Sequence, residues 1–389
     1  MPFETSHEGD EAATAQPRPG PAAIPDHLPG LTPLRGVAAL WVVIYHYAYW
    51  YFPNLHPERV THLVGSGYLA VDLFFILSGF VLAHVYRRPF REAPGWRGYF
   101  NFLQARVARL YPLHATVLLA MLAVALVANA IADGPTRAFT SIPLEGARSL
   151  TAFFANLFML QGLRASLLSW NYPAWSISTE FTAYLALPLL LLLVLRGPAW
   201  LRLALGLLVA GGMIALASLH GDDFDIWNGP LTLLRVFPEF LGGILLYRAY
   251  RHPAVRVAFR SDAVFALVLV PILLGLHFGA PDVAVAAMFF PLLLAAVSNE
   301  GRGARLLALP PLLLLGELSY ALYLVHGGVQ YAATRSLGLL GLSDRSQLTG
   351  GQSFLLCALM VGTSLLLAAL AHRTVEVPGR RLFRRPLGP

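Results

Sequence analysis

The chain has 389 residues, 57% of them hydrophobic and only 13% charged, with a mean hydropathy of +0.61. That balance excludes an ordinary soluble domain of this length and indicates a polytopic membrane protein. A net charge of +7 would also suit nucleic acid, but the basic residues, all arginine, lie in short clusters between apolar runs, the pattern that membrane topology imposes; no nucleic-acid partner is expected.

In chain order, residues 1–30 are acidic and then rich in Pro, Ala and Gly, without the basic and apolar regions of a cleavable signal peptide, and are expected to be a disordered cytoplasmic tail. Residues 31–385 form the expected membrane domain. Apolar runs long enough to cross a bilayer occur at about 34–52, 66–86, 110–131, 176–195, 200–219, 233–250, 263–279, 283–299, 311–331 and 352–372. A shorter run at about 148–162, RSLTAFFANLFMLQG, is ambiguous, and its crossing would invert everything after it. If it does not cross, most arginines fall on the inner side; if it does, the asymmetry vanishes. The expectation is therefore an all-α bundle of about ten spans plus one re-entrant or interfacial segment, with both termini cytoplasmic. Arginine in place of lysine throughout, with abundant Ala, Leu, Gly and Pro, matches a GC-rich bacterium and so the bacterial inner membrane. The single Cys357 sits in an apolar run, which excludes internal disulfides and Cys-based metal clusters; no metal is expected.

Ionisable residues within spans are costly and mark function by default. In LRGVAALWVVIYHY, Arg35 lies at the inner end of the first span, and His46 is eleven residues on, roughly 16 Å deeper and nearly three full turns away, hence on the same helix face. Asp72, Glu180, Glu239 and His326 fall at comparable outer-half depths in four other spans and are expected to gather around a common cavity. Ser176, Glu180 and Tyr184 recur at i, i+4 and i+8, a polar stripe on one face. Among the inner-side arginines 87, 88, 91, 97, 106 and 109, Arg106 and Arg109 are spaced i, i+3 at the entry to the third span and, with Arg35, suit bidentate recognition of a polyphosphate. The acidic and aromatic loop HGDDFDIWNGP, 220–230, reads either as a solvated loop or as a surface meeting a polar acceptor.

These segments resemble the acyltransferase-3 family of integral membrane acyltransferases. LRGVAALWVVIYHY is similar to its opening motif, an Arg and a His separated by ten residues; FFILSGFVL (74–82), RVARLYPLH (106–114), WSISTEFTAYLALP (175–188), EFLGGILLY (239–247) and SYALYLVH (319–326) are similar to its later motifs, in the same order. Thr32 and Pro33 stand where the family often has Asp and Gly, and Gly327 and Gly328 where it often has Trp and Pro.

The resemblance implies transfer of an acyl group, usually acetyl from acetyl-coenzyme A, to a hydroxyl. On that expectation Arg35, Arg106 and Arg109 hold the nucleotide phosphates, and a pantetheine arm reaching about 15–20 Å brings the thioester to His46 as general base. Glu180 orients the imidazole or binds the acceptor, and Asp72, Ser176, Tyr184, Glu239, Tyr323 and His326 bind substrate or support the site. The expected partners are acyl-coenzyme A, a hydroxyl-bearing glycan or small-molecule acceptor, and the bilayer. Direct attack and an acyl-histidine relay are both compatible with the residues. An ion-coupled transporter or flippase of a polar glycoconjugate is the competing class, since buried acids and histidines serve carriers too.

Overall fold

The computed structural model describes residues 28, 30–88, 95–131, 142–163, 169–342 and 344–383. Of the expected N-terminal tail only Leu28 and Gly30 are described, both of them buried; residues 1–27 and 29, Arg91 and the last residues of the expected domain lie outside the described set. Among the described residues every regular element is helical: α1 (Leu31–Ile44), α2 (Ala70–Tyr86), α3 (Trp96–Ile131), α4 (Leu150–Leu157), α5 (Trp175–Arg196), α6 (Ala199–His220), α7 (Leu231–Tyr250), α8 (Pro253–Ala258), α9 (Asp262–Phe278), α10 (Asp282–Ser298), α11 (Arg302–Leu307), α12 (Pro310–Leu339), α13 (Gly350–Ala371) and α14 (Val377–Phe383).

Each of the ten apolar runs falls on helix, the first continuing from α1 through a π-helical stretch to Tyr51 and the second entering α2 through a 3-10 turn, Gly65–Leu69, while α3 and α12 extend well beyond their runs. Among the described residues, six helical segments are long and apolar enough to cross a bilayer: Gly65–Tyr86, Trp96–Ala130, Tyr172–Arg196, Ala199–His220, Pro310–Leu339 and Gly350–Phe383. Helices α9 and α10 are apolar but shorter. Helix α7 carries Arg235, Glu239 and Arg248, and α1 runs into the aromatic stretch YHYAYWY, so neither has the composition of a simple lipid-facing span. The ambiguous run folds as α4, only 8 residues. Such a helix rises about 12 Å, too little for a hydrocarbon core about 30 Å thick.

Local chemistry sets several ends. Ser149 and Ser261 cap α4 and α9 through their side chains, and Thr349 with Gln352 forms a capping box at α13. Gly221 and Gly279 close α6 and α9 at positive φ, where a side chain would be strained. Pro112, Pro188, Pro238, Pro271 and Pro291 lie inside helices, which neighbouring helices make tolerable in a membrane.

Two close helix crossings position the site, α1 on α12 and α2 on α7. A Cβ on Gly36 would strike the backbone of Gly316 on α12, and a Cβ on Gly79 would strike the backbone of Phe240 on α7. Without a hydrophobic drive between helices in lipid, such close approach supplies the packing that holds them. Gly79→Leu is therefore expected to cost about 3 kcal/mol or more of stability, read as a lower unfolding temperature of the purified protein in detergent; unfolding alongside wild type would show that α2 and α7 can part without loss.

Candidate active site

Helices α1, α2, α3, α5 and α12 enclose a cavity of about 150 Å³. Its polar lining comprises Arg35, Ser78, Arg106, Arg109, Ser176, Glu180, Tyr184, Ser319, Tyr320 and Tyr323, set among Val71, Phe74, Phe75 and Leu110. Seven residues singled out in the sequence thus meet here: the three arginines, the stripe Ser176, Glu180 and Tyr184, and Tyr323. The stripe lines the cavity because α5 is a regular helix from Trp175 onward, keeping i, i+4 and i+8 on one face.

Three guanidiniums face one lining carboxylate, Glu180, so the cavity is cationic. Arg35 donates to Ser319 Oγ at 3.1 Å. Arg106 donates to Tyr86 Oη at 3.3 Å and lies 5.5 Å from the centre of that ring. Arg109 has no hydrogen-bond or ion-pair partner among the described residues and repels Arg35. A bound anion would offset that repulsion and accept from several N–H groups at once. Helix α3 begins at Trp96, well before the apolar run at 110, so Arg106 and Arg109 sit on the body of a continuous helix rather than on the turn entering it.

The histidines lie next to this cavity but do not line it. At Tyr45 the first helix widens into a π-helical stretch, Tyr45–Tyr51, a distortion that often re-aims side chains at functional sites. His46 Nδ1 is 2.9 Å from the Val42 carbonyl and 3.3 Å from His326 Nε2. A carbonyl oxygen only accepts, so these partners assign the proton to Nδ1 of His46 and leave its Nε2 lone pair free. His326 is fully buried, and its ring centre is 5.1 Å from that of His46. Tyr172 packs on both, at 4.9 Å from His46 and 5.7 Å from His326, and its hydroxyl donates to Gln330 at 2.8 Å. Arg35 and His46 both contact α12, at Ser319 and His326, so both present themselves to the same neighbouring helix.

Ser176 Oγ and Tyr323 Oη share a hydrogen bond of 2.7 Å. Both residues line the cavity, and the Tyr323 ring is 5.8 Å from that of His326.

Asp72 and Glu239 do not join this cavity, contrary to the expected gathering of five ionisable groups. Asp72 is held by Arg235, which donates from Nε at 2.8 Å and Nη2 at 2.6 Å, with both side chains wholly buried. Arg235 also donates to the carbonyls of Tyr68 and Ile226 and lies 5.5 Å from the centre of a Trp175 ring. Glu239, one turn along α7, is fully buried beside the pair with no hydrogen-bond partner for either carboxyl oxygen among the described residues. The sequence reading assigned Arg235 no role, although an arginine in the apolar stretch TLLRVFPEF, four residues before Glu239, is itself the signal of a buried partner. Tyr172 was also missed, since a tyrosine just ahead of a helix carries no pattern of its own.

The acidic loop after α6 is bonded downward. Asp225 accepts from the Tyr45 hydroxyl at 2.7 Å, while Asp282 accepts from the Tyr68 hydroxyl at 2.7 Å and the Phe224 amide at 2.8 Å. No group of three or more metal-ligating His, Cys, Asp or Glu side chains occurs among the described residues.

Fold and site define a multi-pass helical membrane protein with a cationic internal cavity abutting a histidine pair. The sequence profile of the acyltransferase-3 family, described as an acyltransferase domain, matches residues 28–369. The chain belongs to that family and is an acyltransferase. It is 29% identical to Acyltransferase MdmB of Streptomyces mycarofaciens, over 92% of this chain and 94% of that one. It is also similar to O-acetyltransferase OatA of Staphylococcus aureus, 24% identical over 78% of this chain and 50% of OatA. A shorter match, 46% identical over 91 residues, covers 23% of this chain and 41% of Protein 2 in the picA locus of Rhizobium radiobacter. The chain thus spans nearly all of MdmB but half or less of the other two. No solved structure matches.

Proposed function

We infer that the protein moves an acyl group, acetyl in the simplest case, from acyl-coenzyme A on the cytoplasmic side to a hydroxyl of a carbohydrate or glycosylated secondary-metabolite acceptor, with His46 as general base. The reading places about ten spans in the bacterial inner membrane with both termini cytoplasmic. It is carried by one observation: a cavity lined by three arginines is also lined by Tyr323, whose ring contacts His326, the partner of His46. Arg35, Arg106 and Arg109 would take the donor's phosphates, and the hydrophobic flank of Val71, Phe74 and Phe75 suits the uncharged pantetheine arm. Glu180 lies further along the same wall, within reach of the arm or the acceptor. The name of OatA, an O-acetyltransferase, supports acetyl as the group and oxygen as its destination.

In the transfer, the acceptor hydroxyl attacks the thioester carbonyl carbon as His46 Nε2 takes its proton. Collapse of the tetrahedral species breaks the carbon–sulfur bond, and the coenzyme A thiolate recovers the proton from His46. The products are the ester and free thiol.

The test supplies acetyl-coenzyme A to the purified protein with glycan and metabolite extracts as acceptors. Acceptor-dependent release of thiol together with an acetylated product is expected; solute movement without thiol release would replace this reading with a carrier. Arg106→Ala should raise the donor KM roughly tenfold or more, the scale of a lost charged hydrogen bond, with kcat little changed. An unaltered donor KM would remove Arg106 from the phosphate site.

A further inference from the structure

We propose that the Tyr323 hydroxyl is the hydrogen-bond donor to the thioester carbonyl oxygen, released for that task by an exchange of partners with Ser176. The proposal rests on the acyl-transfer reading above and adds to it the group that stabilises the negative charge formed during transfer.

Attack on a thioester turns its carbonyl oxygen into an oxyanion, and donors aimed at that oxygen in a water-poor site supply much of the rate. His326 does not line the cavity, and His46 is not placed for this task either. His46 Nδ1 is committed to the Val42 carbonyl and His326, and its Nε2 is the base. The three arginines are assigned to the phosphates in that reading, and Arg35 is already bonded to Ser319 Oγ. Tyr320 is also unsuited, because its hydroxyl donates to the Leu110 carbonyl, an acceptor that cannot reverse the bond.

Tyr323 meets the requirements. It lines the cavity, it sits one turn from His326 on α12, and its ring contacts the His326 ring at 5.8 Å. Its hydroxyl is uncharged, and its partner is another hydroxyl, Ser176 Oγ, at 2.7 Å. Either oxygen of that pair can act as donor. While the cavity is empty, Tyr323 donates to Ser176, whose own hydroxyl points to the Pro173 carbonyl at 3.4 Å, a long and weak bond. When a carbonyl oxygen arrives at the cavity's end, Ser176 turns its proton to Tyr323 Oη, and Tyr323 turns its proton to the incoming oxygen. Two hydroxyl rotations accomplish the exchange, with no change of charge. Ser176 then polarises Tyr323 as negative charge grows on the substrate. Phe74, 6.1 Å from the Tyr323 ring centre, packs against its side and limits swing.

Atoms and charge balance as in the transfer already written. The proton leaves the acceptor hydroxyl for His46 Nε2 and ends on the thiolate sulfur. Tyr323 keeps its proton throughout and shares it with the oxyanion until the carbonyl re-forms.

The experiment compares wild type, Tyr323→Phe and Ser176→Ala as full-length proteins in detergent or proteoliposomes. Acetyl-coenzyme A binding is measured by tryptophan fluorescence, and transfer by thiol release with the extract acceptors. Tyr323→Phe keeps the ring and its packing, so donor Kd should stay within about twofold while kcat falls by roughly 10²-fold, the scale for loss of one oxyanion donor. Ser176→Ala, which removes the polarising partner but not the donor, should fall between the two. A packing role alone predicts loss of folded protein and of donor binding with kcat per folded molecule retained. Wild-type kcat in Tyr323→Phe, or a joint loss of kcat and donor affinity, overturns the assignment. If wild type itself releases no thiol, it is the acyl-transfer reading that fails.

Discussion

His46→Ala is expected to lower acyl transfer by a factor on the order of 10²–10⁴, the range supplied by a positioned general base, while the protein still folds and binds acetyl-coenzyme A. The separation of effects follows from geometry. The arginines that would hold the donor line a cavity from which His46 is absent. Removing an imidazole that is only partly buried, on a stretch already stabilised by Tyr45 to Asp225 and by the Tyr47 hydroxyl to the His326 carbonyl at 2.8 Å, leaves those bonds in place. His326→Gln should cost less, because it disturbs only the Nδ1 side of His46. Kinetics on both variants, with donor affinity measured in parallel, would check the order. Turnover at the wild-type rate in His46→Ala would take this residue out of the mechanism.

Asp72→Ala is expected to cost about 3–5 kcal/mol of stability, the price of leaving a buried charge without its partner. Arg235 would retain as hydrogen-bond partners only the Tyr68 and Ile226 carbonyls, with the Trp175 face beside it; Glu239 lies close but accepts no hydrogen bond from it. Replacing Asp72 and Arg235 together by leucine and methionine should destabilise less than either single change, since the guanidinium leaves together with the carboxylate that it pairs with. Unfolding temperatures of the two singles and the double variant in the same detergent decide the matter; a double variant as unstable as the sum of the singles would mean that the pair is not coupled.

The helices were legible because hydrophobic runs of spanning length leave few alternatives, and the polar stripe at 176, 180 and 184 was legible because it repeats at the helical period. The convergence of Arg35 with Arg106 and Arg109 could be read from their shared position at span entries. Three features could not. The π-helical stretch at Tyr45–Tyr51 leaves no trace in residue pattern, yet it sets where His46 points. The contact between cavity and histidines runs through Tyr323 of α12, which is hydrogen-bonded to Ser176 of α5, far apart in sequence. The removal of Asp72 from the site depends on Arg235, whose partner is chosen by helix neighbours rather than by spacing along the chain. Depth along a span was computable from rise per residue, whereas company across spans was not.

Helix α3 contains 36 residues, about 54 Å of rise against a hydrocarbon core of about 30 Å. Tilting by about 20° shortens that reach only slightly, so several turns must overhang the oily layer. Trp96 and Phe100 at its start are exposed, and aromatic rings favour the headgroup zone. Arg106 comes ten residues later, about 15 Å along the axis. The overhang therefore makes a protein-sided porch in front of the arginines, and a water-soluble nucleotide could dock and depart along it without crossing lipid tails.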